Sequence, residues 1–208
     1  MYLIIARTYG HDLIKSIEKA SNVPVINALS DTYHPCQGLS DLMTIRQRFK
    51  DLSKINVAWV GDGNNVCNSL IIGCLTLNIP IFAATPKNFR PPEIIYEWIK
   101  QEKKENLIRF TEDPKEAVKD ADIIYTDTFI SMGQEQETEN RLKIFKPFQV
   151  NKELINSTKK CPLIMHCLPA HRGIEITDDV FDSKNCIVFE QAENRLHLQK
   201  ALMIQLLK

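Results

Sequence analysis

Ile123-Ile124-Tyr125-Thr126-Asp127-Thr128-Phe129-Ile130-Ser131-Met132-Gly133-Gln134-Glu135 is a short apolar run that passes directly into a polar loop. Further along, Leu163-Ile164-Met165 passes in the same way into His166-Cys167-Leu168-Pro169. Runs this short and this apolar read as buried strands. A polar loop at the carboxyl end of a parallel strand is where open α/β sheets place their ligand sites. Together the two loops offer a carboxylate, a hydroxyl, a thioether and a thiol, a set able to hold a small amine-bearing substrate.

Working outward, strand-like runs recur at Tyr2–Ala6, Val23–Asn27, Val57–Val60, Ile79–Ala83, Leu107–Phe110, Asp122–Tyr125, Leu163–His166 and Cys186–Phe189. Most are separated by segments with apolar residues three and four apart, such as Leu13, Ile14, Ile17 and Ala20. The alternation predicts an α/β fold, a doubly wound and mostly parallel sheet with helices on both faces. Pro91-Pro92 fits a helix start. Residues 34–50 read as one connecting helix between a short βαβ unit (1–33) and a fuller α/β unit (51–189). A last amphipathic helix over Glu193–Leu207 falls in the remaining stretch, 190–208.

The chain has 208 residues, 44% of them hydrophobic and 25% charged, enough for a real core and too apolar for disorder. Its 26 basic and 26 acidic side chains cancel, which gives no reason to expect nucleic acid or an anionic membrane as partner. An anionic substrate therefore needs local charge. Six scattered cysteines without a C-x-x-C pair read as free thiols in a reducing compartment. The opening Met-Tyr-Leu-Ile-Ile-Ala lacks a basic region and reads as a strand from within a sheet, not a signal peptide or span. On that reading something is expected to precede it.

Other residues could carry chemistry. His34-Pro35-Cys36-Gln37 stands at the start of the connecting helix, where free N–H groups and the dipole suit an anion or a polarised carbonyl. A histidine there tends to be neutral and can donate to an oxygen gaining charge; an isolated H-P-x-Q is more often a packed turn. Gly61-Asp62-Gly63-Asn64-Asn65 leads from a strand into a helix but matches neither nucleotide-binding glycine pattern. An isolated loop aspartate such as Asp127 is usually solvated or a cap. A lone buried cysteine such as Cys167 is ordinarily a small hydrophobe. Arg7 and Arg195 could each be plain surface residues or a guanidinium fork for phosphate. His171 and Arg172 receive no firm role.

In their order these motifs resemble the ornithine transcarbamylases, and the resemblance spans the chain from Arg7 to the last helix. It implies transfer of a carbamoyl group from carbamoyl phosphate to L-ornithine, giving citrulline and phosphate, as in arginine biosynthesis, with no metal and no redox cofactor. It assigns His34 to the carbamoyl oxygen and Gln37 to the carbamoyl amide, with Arg7, Cys167 and Arg195 also near carbamoyl phosphate. Asn65, Asp127, Ser131, Met132 and Leu168 fall to ornithine. Catalytic roles fall to His34, Arg7, Cys167 and Arg195, with Cys167 positioning and not forming a covalent bond. Ser-Met-Gly and Cys167 favour ornithine over the aspartate-using relatives, which carry proline at the cysteine position. The resemblance further implies a homotrimer in the cytoplasm, or in the mitochondrial matrix if the source is eukaryotic.

One departure stands out. The Ser-x-Arg-Thr-Arg segment with which the family binds phosphate does not occur in these 208 residues. Residues 1–33 thus resemble a remnant of the carbamoyl-phosphate domain, and little citrulline formation is expected of the 208 residues alone. The rival readings are a transcarbamylase for putrescine or an acylated ornithine, and an inactive ornithine-binding or assembly fragment.

Overall fold

The computed structural model describes residues 2–130 and 138–207. The first strands, β1 (Ile4–Arg7) and β2 (Val25–Leu29), pair in parallel around helix α1 (His11–Ala20). Helix α2 (Pro35–Arg48) follows, and beyond it come α3 (Asn65–Thr76), α4 (Glu93–Gln101), α5 (Pro114–Val118), α6 (Thr138–Phe145), α7 (Lys152–Asn156), α8 (Asp178–Phe181) and α9 (Val188–Leu206). Five further strands, β3 (Val57–Val60), β4 (Ile81–Ala84), β5 (Ile108–Thr111), β6 (Ile123–Thr126) and β7 (Leu163–His166), form a second sheet. Its order is β5-β4-β3-β6-β7 and every pairing is parallel. The α/β class expected from the sequence is thus the observed one.

Alternation along the central strands explains why both sheet faces are covered. Val57, Trp59, Ile123, Tyr125 and Met165 point into one core, with Ile45 of α2 and Leu70 and Ile71 of α3 (Asn65–Thr76). Ala58, Val60, Ile124 and Ile164 point into the other, with Phe145 of α6 (Thr138–Phe145) and Val188. A parallel sheet with helical crossovers must bury both faces, so its strands read as unbroken apolar runs. No helix of the described residues is long and apolar enough to cross a membrane.

Val57–Val60 and Leu163–His166 are strands as expected; the others shift by one or two residues. Two shifts have a plain cause in proline. Pro24 and Pro80 have no N–H to give a ladder. Their carbonyls instead accept from Ile4 N and Val57 N, both at 3.0 Å, and pairing starts at Val25 and Ile81.

The eighth expected strand, Cys186–Phe189, is not one. Cys186 makes only an isolated bridge to Ile164, and helix α9 (Val188–Leu206) begins at once. A four-residue apolar run looks the same as strand or as buried helix start. Here Val188 is buried while Phe189 is 72% exposed. Helix α9 lies along α2, where Asn194 Nδ2 donates to Thr44 Oγ1 (2.9 Å) and to Gln47 Oε1 (2.7 Å).

Candidate active site

β3 and β6 are neighbours, yet the chain leaves β3 toward β4 and leaves β6 toward β7. The crevice where connections diverge is the usual ligand position in an open α/β sheet. The turn after β3 and the Asp127 loop after β6 meet there, and the Cys167 loop after β7 adjoins them. The β3 turn needs its glycines. Gly61 has φ of 141°, and a Cβ on Gly63 would lie 2.4 Å from the backbone nitrogen of Pro91.

Asp127 is the meeting point. Its buried Oδ1 accepts from Thr128 N and from Cys167 Sγ, each at 2.7 Å, and its Oδ2 accepts from Asn64 Nδ2 at 2.7 Å. A carboxylate offers about four lone-pair positions, so room for roughly one more donor remains. Burial, and next the Asp127 charge, push the Cys167 thiol well above its ordinary range. Cys167 is therefore a neutral S–H donor, not a thiolate.

Asn64 was not singled out from the sequence, and it does two jobs. Its Oδ1 caps α3 by accepting from Val66 N (3.0 Å) and Cys67 N (3.1 Å), while its amide N–H reaches Asp127. An asparagine just before an apolar helical run is a cap signal that could have found it. Asn65, assigned to ornithine by the resemblance, donates to the Ser30 carbonyl at 2.6 Å and ties α3 to the loop before α2.

His34 sits at the start of α2 with its backbone N–H on Ser69 Oγ (2.8 Å). His34 is 5% exposed, and among the described residues its buried Nδ1 has no partner. Burial first, then the charges of Arg195 and Arg7, push its pKa down to about 4, against the pull of Asp127. One electrostatic neighbourhood therefore gathers the end of β1, the start of α2, the first turns of α9 and the β6 loop. Gln37 is 1% exposed, and its Oε1 is likewise buried and unpaired. Arg7 is exposed and Arg195 partly so, and among the described residues neither has a hydrogen-bond or ion-pair partner.

A neutral His34 is directly testable. Its imidazole carbon–proton resonance, assigned by comparison with His34→Gln, should hold its position from pH 8 to pH 5. Movement centred near the ordinary 6.5 would contradict the burial argument.

Leu168 adopts a positive φ of 57°, and its N–H donates to His166 Nδ1 at 2.9 Å. Ser131 and Met132 lie outside the described residues. Arg172 is committed elsewhere: it pairs with Asp178 (3.1 Å) and Asp182 (2.6 Å) and lies over Phe181. His171 Nδ1 meets Thr128 Oγ1 at 3.0 Å.

A scan against family models matches two descriptions. Residues 53–206 match "Aspartate/ornithine carbamoyltransferase, Asp/Orn binding domain", and residues 1–47 match the "carbamoyl-P binding domain" of the same family. The chain belongs to the aspartate/ornithine carbamoyltransferase family. Among curated relatives, the ornithine carbamoyltransferase of Archaeoglobus fulgidus is 50% identical over 208 residues, covering 100% of this chain and 67% of that protein. That of Pyrococcus horikoshii is 50% identical over 206 residues, 98% of this chain and 65% of that one. The solved ornithine carbamoyltransferase from Pyrococcus furiosus matches with a TM-score of 0.92 and 49% identity, over 98% of this chain and 66% of that one. The chain thus spans about two thirds of the length of the relatives it matches.

Within this candidate site, ligand-type atoms of Asp127, His166 and Cys167 lie within 4.8 Å of one another. The imidazole is nevertheless fully engaged. Nδ1 accepts from Leu168 N, and Nε2 meets buried Glu175 Oε1 at 3.2 Å. A metal could take His166 only by breaking one of these contacts.

Sequence reading also missed the clamp behind the site. Arg141 of α6 pairs with Asp62 of the β3 turn, donates from Nε to Phe129 O at 2.7 Å, and lies over the rings of Phe89 and Phe145. Burial pushes the Asp62 carboxyl up, and the Arg141 guanidinium opposes it. The two partners are 79 residues apart in sequence, and nothing local marks either as one of a pair.

Proposed function

We propose that this chain forms the ornithine side and part of the carbamoyl-phosphate side of an ornithine carbamoyltransferase. The reaction transfers the carbamoyl group of carbamoyl phosphate to the δ-amine of L-ornithine, giving citrulline and phosphate. The observation carrying the proposal is the convergence of Asp127, Cys167 and Asn64 at the crevice, within the field of neutral His34 and its two arginines. Relatives named ornithine carbamoyltransferase, one of them named anabolic, support the same reading and its place in arginine biosynthesis.

A free alkylamine has a pKa of about 10.4, so ornithine arrives with its δ-amine protonated and must lose a proton before attack. Nitrogen then bonds to the carbamoyl carbon, and the carbon–oxygen bond to phosphate breaks. His34 and Arg7 stabilise the oxygen that gains charge, with Arg195 on the phosphate side. Asp127 takes the α-ammonium group, while Ser131, Met132 and Leu168 close on the methylene chain. Gln37 receives the carbamoyl N–H. We assign Asn65 to the α-carboxylate or α-amino end of ornithine. The same reading carries assembly as a homotrimer and a place in the cytoplasm.

Cys167 positions and does not attack, in keeping with its protonated thiol donating to Asp127. With ¹³C-labelled carbamoyl phosphate and ornithine, the protein at its natural length should form labelled citrulline. Cys167→Ser should lower turnover without abolishing it, because a hydroxyl keeps the donation. No citrulline from the wild type would overturn the reaction; a carbamoyl-cysteine seen by mass spectrometry would overturn the role of Cys167.

A further inference from the structure

We propose that Asp41 is a positioning residue, one carboxylate that fixes the orientation of two side-chain amides, Gln37 on α2 and Gln191 on α9, beside the candidate site. The inference rests on the carbamoyl-transfer reading. Asp41 lies on α2, one turn beyond Gln37, and is fully buried. Its Oδ1 accepts from Gln37 Nε2 (2.8 Å) and from Gln191 Nε2 of α9 (2.7 Å). Its Oδ2 accepts from the Tyr125 hydroxyl of β6 (3.0 Å), which also receives Gln191 Nε2 at 2.9 Å.

A glutamine amide can be turned either way, and its surroundings decide. An oxygen that only accepts forces both glutamines to present nitrogen to it. The Gln37 carbonyl is thereby turned away from Asp41, and it is one of the buried acceptors left without a partner among the described residues. A carbamoyl NH₂ needs such an acceptor. The Gln191 carbonyl is turned to the end of β7, where it accepts from His166 N at 3.0 Å, one residue before Cys167. One side chain thus joins the carbamoyl-facing end of α2 to the strand that carries the thiol.

Burial pushes the Asp41 carboxyl up to about 7, and the arrangement tolerates either protonation state. A proton on Oδ2 would face Tyr125 and leave Oδ1 accepting from both amides. Asparagine reproduces that form, with Nδ2 toward Tyr125 and Oδ1 unchanged. Leucine fills the space and accepts from neither.

The test compares carbamoyl phosphate with acetyl phosphate, which has a methyl group where the carbamoyl has NH₂, as ligands of the protein at its natural length. Gln37→Leu and Asp41→Leu should each reduce the preference for carbamoyl phosphate by about tenfold or more, as expected when a buried donor, here the carbamoyl NH₂, loses its acceptor. The double variant should lose no more than either single one. Asp41→Asn should keep the preference within about threefold. An unchanged preference in Asp41→Leu, or additive losses, would overturn the proposal. If Asp41→Leu does not fold, nitrogen NMR of the protein at its natural length decides: the Gln37 side-chain amide should exchange slowly and shift in Asp41→Asn. A freely exchanging amide indifferent to that change would refute it. Absence of carbamoyl-phosphate binding in the wild type would refute the functional reading, while the amide measurement still judges Asp41.

Discussion

Arg141→Met should be the most destabilising single change near the site, lowering stability by roughly 3–5 kcal/mol, the usual range when one partner of a buried ion pair is removed. For a chain of this size that is a fall in Tm of about 6–20 °C. Methionine can keep contact with Phe89 and Phe145, but it cannot reach the Phe129 carbonyl or neutralise Asp62. Asp62 is then left buried and charged, or must take up a proton. Either outcome loosens the β3 turn against the start of the Asp127 loop. The double variant Asp62→Asn with Arg141→Met removes the orphaned charge and should recover much of the loss. Thermal unfolding of wild type, Asp62→Asn, Arg141→Met and the double variant checks this. Equal stability of Arg141→Met and wild type would show that the clamp contributes nothing.

Asp127→Asn should weaken ornithine far more than carbamoyl phosphate. Losing one charge-assisted hydrogen bond costs roughly 1.5–3 kcal/mol, about tenfold to more than a hundredfold in affinity. The surroundings point the same way. Asn64 Nδ2, Cys167 Sγ and Thr128 N all donate to the carboxylate, so an amide there would set a donor against a donor. Titration with each substrate separately measures the effect. Equal weakening of both would remove Asp127 from the ornithine site.

Much of the framework was legible because strands buried on both faces announce themselves as unbroken apolar runs, and because ligand loops follow them. The loops that hold Asp127 and Cys167 were legible in that way, while the roles of the two residues came from the resemblance. Where periodicity could not discriminate, the reading erred. Cys186–Phe189 is apolar enough for either strand or helix and proved to open α9. Pro24 and Pro80 were visible and should have moved two strand starts, since proline cannot donate to the ladder. Other features could not have been read at all. The Asp62–Arg141 pair and the bond from Gln191 to Asp41, separated by 150 positions, arise only when distant segments pack together.

The central claim is carbamoyl transfer to ornithine in particular, and acceptor selectivity tests it most directly. Citrulline formation from ornithine should be measured against carbamoyl transfer to putrescine, with the protein at its natural length and saturating carbamoyl phosphate. A site that pairs Asp127 with an α-ammonium group leaves buried polar groups unmatched when putrescine binds, and such sites reject the lacking analogue strongly. We expect kcat/KM for ornithine to exceed that for putrescine by at least about a hundredfold. Comparable values, or a faster reaction with putrescine, would contradict the assignment of Asp127 and with it the ornithine reading.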